Sequence, residues 1–178
     1  ITVMVLFVCL NPLYGADNVK SGRLFANVGV ASSDLEGMVA DIGIEFQSNR
    51  NLFWQLSFEY YFEPYGSYDV ISDDKAYGAN LYAVYKFHPS RKVSFFGKCG
   101  LNLLYGTSRI RLDLGPYGVL ESDSESSLSL GIGGGVGMEY HLNRSFSLVG
   151  GVTMKRLFNA LDTTNGWFKF YTGVSVAL

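Results

Sequence analysis

The stretch from Leu52 to Phe62 reads LFWQLSFEYYF, and its parity decides the fold. Leu52, Trp54, Leu56, Phe58, Tyr60 and Phe62 fall on one parity, while Phe53, Gln55, Ser57, Glu59 and Tyr61 fall on the other. Successive side chains of a β-strand point to opposite faces. One face is therefore a continuous apolar stripe, and the other carries an amide, a hydroxyl and a carboxylate. A tilted strand needs about 9–11 residues to cross the hydrocarbon of a bilayer, and this stretch has that length. A half-buried strand in a soluble sandwich alternates in the same way, so the reading depends on repetition along the chain.

The pattern repeats. Leu24, Ala26, Val28 and Val30 form an apolar face between about Arg23 and Ala31, with Asn27 and Gly29 opposite. From Met38 to Gln47, Met38, Ala40, Ile42, Ile44 and Phe46 alternate with Val39, Asp41, Gly43, Glu45 and Gln47. Similar strands are predicted over Ala76 to His88, Val93 to Gly106, Ser127 to Leu142, Phe146 to Phe158 and Trp167 to Leu178. With the opening stretch they make eight. The connections after the second, fourth and sixth strands are short, and those after the third, fifth and seventh are longer. Short turns at one end and long loops at the other are the signature of an outer-membrane barrel. No helical period and no second domain interrupt the series.

Composition agrees. Charged residues are 17% of the 178-residue chain, below the roughly 25% of an average soluble domain, and aromatics reach 15%. The net charge of −2 and the lack of a basic run exclude a nucleic-acid partner. Residues 1–16, opening ITVMVLFVCL and ending in Gly15 and Ala16, have the apolar core and small-residue end of a secretory signal peptide, truncated at its start. The barrel domain is expected over residues 17–178. Outside the leader a single cysteine remains, Cys99, read as a small apolar strand residue. No metal or cofactor site is expected.

A soluble ligand-binding barrel also alternates, with its apolar face inward. Here the polar face is Gly, Ser, Asn and Gln with sparse charges, too poor in Lys and Glu for a soluble exterior. Those charges balance: Asp41, Glu45, Glu59 and Glu139 against Lys86, Lys98, Lys155 and Lys169. Such a set can pair inside a closed lumen, and Lys98 with Glu139 is the expected ion pair. Aromatics gather near both strand ends of the apolar face, as in the interfacial girdles of membrane barrels. The predicted fold is an all-β, eight-stranded antiparallel transmembrane up-and-down β-barrel.

On these features the chain resembles the small outer-membrane β-barrel family of the OmpA transmembrane domain and OmpX-like proteins. The resemblance spans Asp17 to Leu178. The last strand, FKFYTGVSVAL, is similar to the signal read by the barrel-assembly machinery, departing from it in ending on Leu178 rather than Phe or Trp. The resemblance implies the outer membrane of a Gram-negative bacterium, with its lipid and the assembly machinery as partners. The fold hosts porin-like, adhesive, structural and enzymatic members.

The lipid A deacylase type sets His and Ser two apart, but His141 is followed by Leu142 and Asn143. His88, before Pro89, and His141 read as hydrogen-bonded or solvated strand-end residues. GIGGGVG, Gly131 to Gly137, lies inside a strand pattern and is no phosphate loop. Eight strands leave an interior that side chains fill, so a wide pore is not expected. The expectation is therefore a non-enzymatic surface module acting through its external loops, with a small porin-like channel or a lipid-modifying enzyme as alternatives. The loop Thr107 to Ser126 carries Arg109, Arg111 and Tyr117. With Tyr65 and Tyr68 of the preceding loop it is the expected contact surface for an extracellular protein ligand.

The leader reading predicts a mature chain starting near Asp17. Mass spectrometry of protein taken from the outer membrane would show that start, and an intact N-terminal segment there would overturn the export reading.

Overall fold

The computed structural model describes residues 22–33, 37–62, 71–72, 75–88, 90–108, 110–113, 119–121, 125–158 and 166–178. The leader segment lies outside these residues. In chain order the strands are β1 (Gly22–Ser33), β2 (Gly37–Gln47), β3 (Leu52–Tyr61), β4 (Ile71–Ser72), β5 (Lys75–Phe87) and β6 (Val93–Ser108). They continue with β7 (Ile110–Asp113), β8 (Val119–Glu121), β9 (Glu125–His141), β10 (Phe146–Leu157) and β11 (Trp167–Ala177). Eight of them form a closed barrel in the order β1-β11-β10-β9-β6-β5-β3-β2, every pair antiparallel. No helix occurs among the described residues.

Closure is made by β1, which pairs with β2 along one side and β11 along the other. The Leu178 amide adds a bond to the Gly22 carbonyl at 2.9 Å. The three short turns at this end share one device. Asn49, Ser90 and Asn143 each turn a side-chain oxygen onto the backbone N–H groups two and three residues ahead. These side-chain acceptors replace ladder partners that the tight turn removes. At the opposite end Gly37 opens β2 with φ of 145°, a conformation that L side chains rarely adopt.

The parity read from sequence sets the faces. Val28, Ile42, Leu56, Leu81, Leu101, Ile132, Val136 and Phe170 are exposed on the outer surface, while Asp41, Glu59, Lys86, Glu139, Lys155 and Lys169 are buried within. A soluble barrel has the reverse arrangement. On the outside near the loop end, Tyr60 packs against Phe62 and Tyr77 with ring centroids 4.8 and 5.2 Å away, part of the expected aromatic girdle. Cys99 is half-buried on the outward parity of β6.

The segment expected to be loop from Thr107 to Ser126 carries more structure than its sequence suggested. The β6–β9 ladder runs on to Ser108 opposite Glu125. Beyond it β7 pairs with both β8 and β4, giving a small second sheet of order β4-β7-β8. The turn-like residues Asp113, Gly115, Pro116 and Gly118 hid this β-hairpin, because short strands leave no long alternation to read.

An apolar outer face predicts a depth-dependent response to charge. Ile42 lies mid-strand and 61% exposed, so Ile42→Arg should cost about 2–4 kcal/mol of folding stability in bilayers. Urea titration of vesicle-inserted protein measures it, and a neutral effect would place that face in water.

Candidate functional site in the barrel lumen

The inward positions stack into layers from the loop end to the turn end. At the top lies an apolar cap of Ala31, Val39, Tyr61, Ala76, Leu157 and Trp167. Below it sits a charged quartet. Lys169 Nζ reaches Asp41 Oδ2 and Glu59 Oε1, both at 2.5 Å, while Lys155 pairs with the other oxygen of Glu59. Uncharged partners complete the set. Tyr61 donates its hydroxyl to Glu59 at 2.8 Å, Asn27 donates to Asp41 at 2.8 Å, and Lys155 donates to Asn80 Oδ1 at 2.9 Å. A second layer of Phe53, Tyr82, Val84, Phe96, Val149 and Tyr171 follows.

A second quartet closes the turn-end half. Lys86 Nζ lies 2.6 Å from both Glu45 Oε1 and Glu139 Oε1, and Arg23 meets Glu139 Oε2 at 3.1 Å. The ring of Phe53 lies against the Lys86 ammonium, 4.7 Å from centroid to Nζ. Each quartet holds two cations and two anions, so each is electrically neutral. In a low-dielectric lumen that balance offsets the cost of stripping water from the charges.

Of the charges expected inside, all eight are inward and buried, but one expected pairing is wrong. Lys98 does not meet Glu139. The β6–β9 register sets Glu139 opposite Ser94 and Lys98 opposite Gly135, four residues apart along the strand. Counting from the turns could not reveal this stagger, which barrel closure imposes. Glu139 takes Lys86 and Arg23 instead, and Arg23 is an interior charge beyond the eight expected from the sequence. Its inward parity at the start of β1 was the available signal. Among the described residues Lys98 makes no ion pair, and its ammonium lies between the rings of Tyr82 and Tyr171 at 5.0 and 4.6 Å from their centroids.

The two histidines also do more than end strands. His88 Nδ1 lies 2.6 Å from Ser94 Oγ, Ser94 Oγ lies 2.7 Å from His141 Nε2, and His141 Nδ1 lies 2.8 Å from Ser147 Oγ. Two short turns build this chain in the same way, each with a His before the turn and a Ser six residues later. Ser94 and Ser147 are buried, so the chain braces the turn end of the lumen. The repeated His-to-Ser spacing is present in the sequence, but it spans the turns and so lies outside a strand-by-strand reading. Of the expected external contacts, Tyr65, Tyr68, Arg109 and Tyr117 lie outside the described residues. Arg111 is placed only by the backbone of β7, opposite Ile71 and Glu121.

This closed antiparallel barrel agrees with a comparison of whole sequences. Residues 10–176 match the family described as outer membrane protein beta-barrel domain. The chain belongs to that family. Its place is the outer membrane of a Gram-negative bacterium. Among solved structures, Neisserial surface protein A is similar at 20% identity and a TM-score of 0.59, covering 88% of this chain and 95% of that one. Ail, the attachment invasion locus protein of Yersinia pestis, is 16% identical with a TM-score of 0.54, over 89% and 97% of the two chains. The outer membrane enzyme PagL is 15% identical with a TM-score of 0.53, over 88% and 99%. At these identities the likeness concerns the fold. No curated protein matches the sequence.

The two-to-two arrangement of the turn-end quartet predicts an asymmetric cost. Lys86→Met strands Glu45 and leaves Glu139 only Arg23, so it should destabilise the barrel by about 3–5 kcal/mol. Lys98→Met breaks no ion pair and should cost far less. Denaturant titrations of the two variants, run side by side, test that order.

Proposed function

We propose that the protein is a membrane-anchored interaction module whose loop end carries the function and whose barrel is a closed scaffold. The observation that carries this reading is the filled lumen. Two neutral quartets and two apolar layers cross the interior, with large side chains such as Trp167, Tyr82, Lys86, Lys155 and Lys169 almost wholly buried. Eight strands give a lumen that side chains can fill, and this one is filled.

Structure concentrates at the opposite end. The β6–β9 hairpin is longer than any other strand pair in the barrel, and the β4–β7 pairing ties the loop after β3 to the loop after β6. Two loops so joined form one platform and lose less entropy on binding than two independent ones. Their sequence is mostly acidic, with Glu63, Asp69, Asp73, Asp74, Asp113, Glu121 and Asp123 against Arg109 and Arg111, interleaved with Tyr65, Tyr68 and Tyr117. That composition suits an extracellular protein with a basic patch, the tyrosines serving as anchors. A hydrolytic role has less support. Ser94 is fully buried between two imidazoles inside the lumen, leaving no face for a lipid substrate.

Planar-bilayer recordings should show no large steady conductance, and deletion of residues 113–123 should leave heat-modifiable gel mobility intact. The same deletion should abolish binding to epithelial cells or immobilised matrix proteins. A wide, stable pore would overturn the closed scaffold, and unchanged binding would remove the loop platform from the function.

A further inference from the structure

The three short turns, which face the periplasm in a barrel of this kind, repeat one arrangement of charge. Arg50, Arg91 and Arg144 stand at their tips, with Lys92 beside Arg91, and all four residues are exposed. Each arginine directly follows the residue whose side-chain oxygen caps the turn, Asn49, Ser90 or Asn143. The three therefore occupy equivalent positions. None of the 16 Asp and Glu residues falls within 48–51, 90–92 or 143–145. Among the described residues none of the four cations makes an ion pair. The turns are also laced into one rim. The backbone carbonyls of Asn51, Lys92 and Ser145 accept 2.8 Å bonds from the amides of Lys86, His141 and Ala177 on the adjoining strands. Arg50, Arg91 and Arg144 thus follow one another around the consecutive strands β2, β3, β5, β6, β9 and β10.

The apolar surface next to the rim sets its depth. Phe46, Phe87, Phe95, Tyr140 and Phe146 are exposed on the outer face, each within four residues of one of the arginines. Trp54, opposite Phe46 in the ladder, is half-buried on the same face. Aromatic girdles mark the boundary between hydrocarbon and headgroups. The guanidinium groups therefore sit at the level of the lipid phosphates, and their stems can lie along the apolar band while the charge stays in the headgroup layer. A planar guanidinium meets two phosphate oxygens at once. Turns this short do not project toward the cell wall. They hold only Ser, Asn, Arg and Lys at 48–51, 90–92 and 143–145, with no aromatic face to stack on a sugar ring.

We propose that the turn rim selects anionic phospholipids in the periplasmic leaflet, with Arg50, Arg91, Lys92 and Arg144 engaging their phosphates. A zwitterionic headgroup carries its own ammonium and gains little from a further cation. A phosphatidylglycerol headgroup has net negative charge, so four cations with no carboxylate among them separate the two classes. The loop segments at the other end are mostly acidic in sequence, which confines the preference to one leaflet. The rim is independent of the loop platform, and either assignment can fail alone.

The protein carries its own probe. Of its two tryptophans, Trp54 lies on the lipid face near the rim, while Trp167 is 1% exposed in the lumen at the loop end. The full barrel is reconstituted in mixed phosphatidylcholine and phosphatidylglycerol bilayers, with brominated chains on one lipid or the other at matched fractions. Quenching of Trp54 then reports which lipid gathers at the turn end. Phosphatidylglycerol should be favoured there about fivefold at low salt, the factor that one Lys or Arg near an anionic surface contributes. Added salt should shrink that preference. Arg50→Gln, Arg91→Gln, Lys92→Gln and Arg144→Gln combined should equalise the two lipids, while Arg50→Lys, Arg91→Lys and Arg144→Lys combined should keep the preference. Arg156→Gln, at the exposed loop end of β10, should leave it unchanged. If the fourfold variant does not fold, judged by heat-modifiable gel mobility, Arg50→Gln with Arg91→Gln carries the comparison, since Trp54 pairs with β5 and lies between those two turns. Equal quenching by both lipids in the parent protein would overturn the proposal. So would a preference that survives these substitutions, or equal quenching together with rim-dependent sedimentation on purified cell-wall sacculi.

Discussion

Lipid offers no hydrogen bonds, so every backbone group in the membrane must find its partner within the protein. For a chain built from strands this leaves one solution, a ladder with no edge. Here the condition is met where β1 zips onto β11 over its whole length. Much else follows from that seam. Closure fixes the strand tilt and the stagger between neighbours, and the stagger decides which inward side chains share a level. It is why Glu139 meets Lys86 from β5 and Arg23 from β1, strands that are distant in sequence and not its neighbours in the sheet.

A closed ring of eight strands also sets the character of the interior. The lumen is too narrow for bulk water and too polar for a purely apolar core. The protein answers with alternating layers, aromatic then ionic, in which each carboxylate touches at least one cation. The large residues fit because the facing wall is bare. Phe96 presses over Gly137, whose added Cβ would fall 2.3 Å from its ring, and Tyr171 occupies the space above Gly151. The glycine run of β9 and Gly151 of β10 are thus the complement of bulky inward residues of β6 and β11. Overpacking that wall would force backbones apart rather than shift a side chain.

The barrel was legible in the sequence because period-two alternation is a local property, readable strand by strand. Strand number, the inward set of Asp41, Glu59, Lys155 and Lys169, and the outward set of Ile42 and Leu56 all came from parity. Partner choice did not, since it depends on register between strands, and parity is blind to a slip of two residues. The Lys98–Glu139 pairing failed for that reason. The small sheet of β4, β7 and β8 escaped because its strands, at two to four residues, are shorter than the window needed to see a period. The histidine–serine chain was hidden differently, its members being separated by turns that bring them back to one level.

The unequal strand lengths have a mechanical consequence. β6 and β9 run for 16 and 17 residues, and at about 3.4 Å per residue with a tilt near 40° such a hairpin is roughly 40 Å tall against an apolar band of roughly 25 Å. The excess is a mast. Anything gripping its tip is held clear of the headgroups, and tension there runs along the strands. The rungs that tie β6 to β5 and β9 to β10 then bear load together in shear rather than yielding one at a time. A tether of this kind resists a pull along its axis far better than a single peptide of the same length attached at its end.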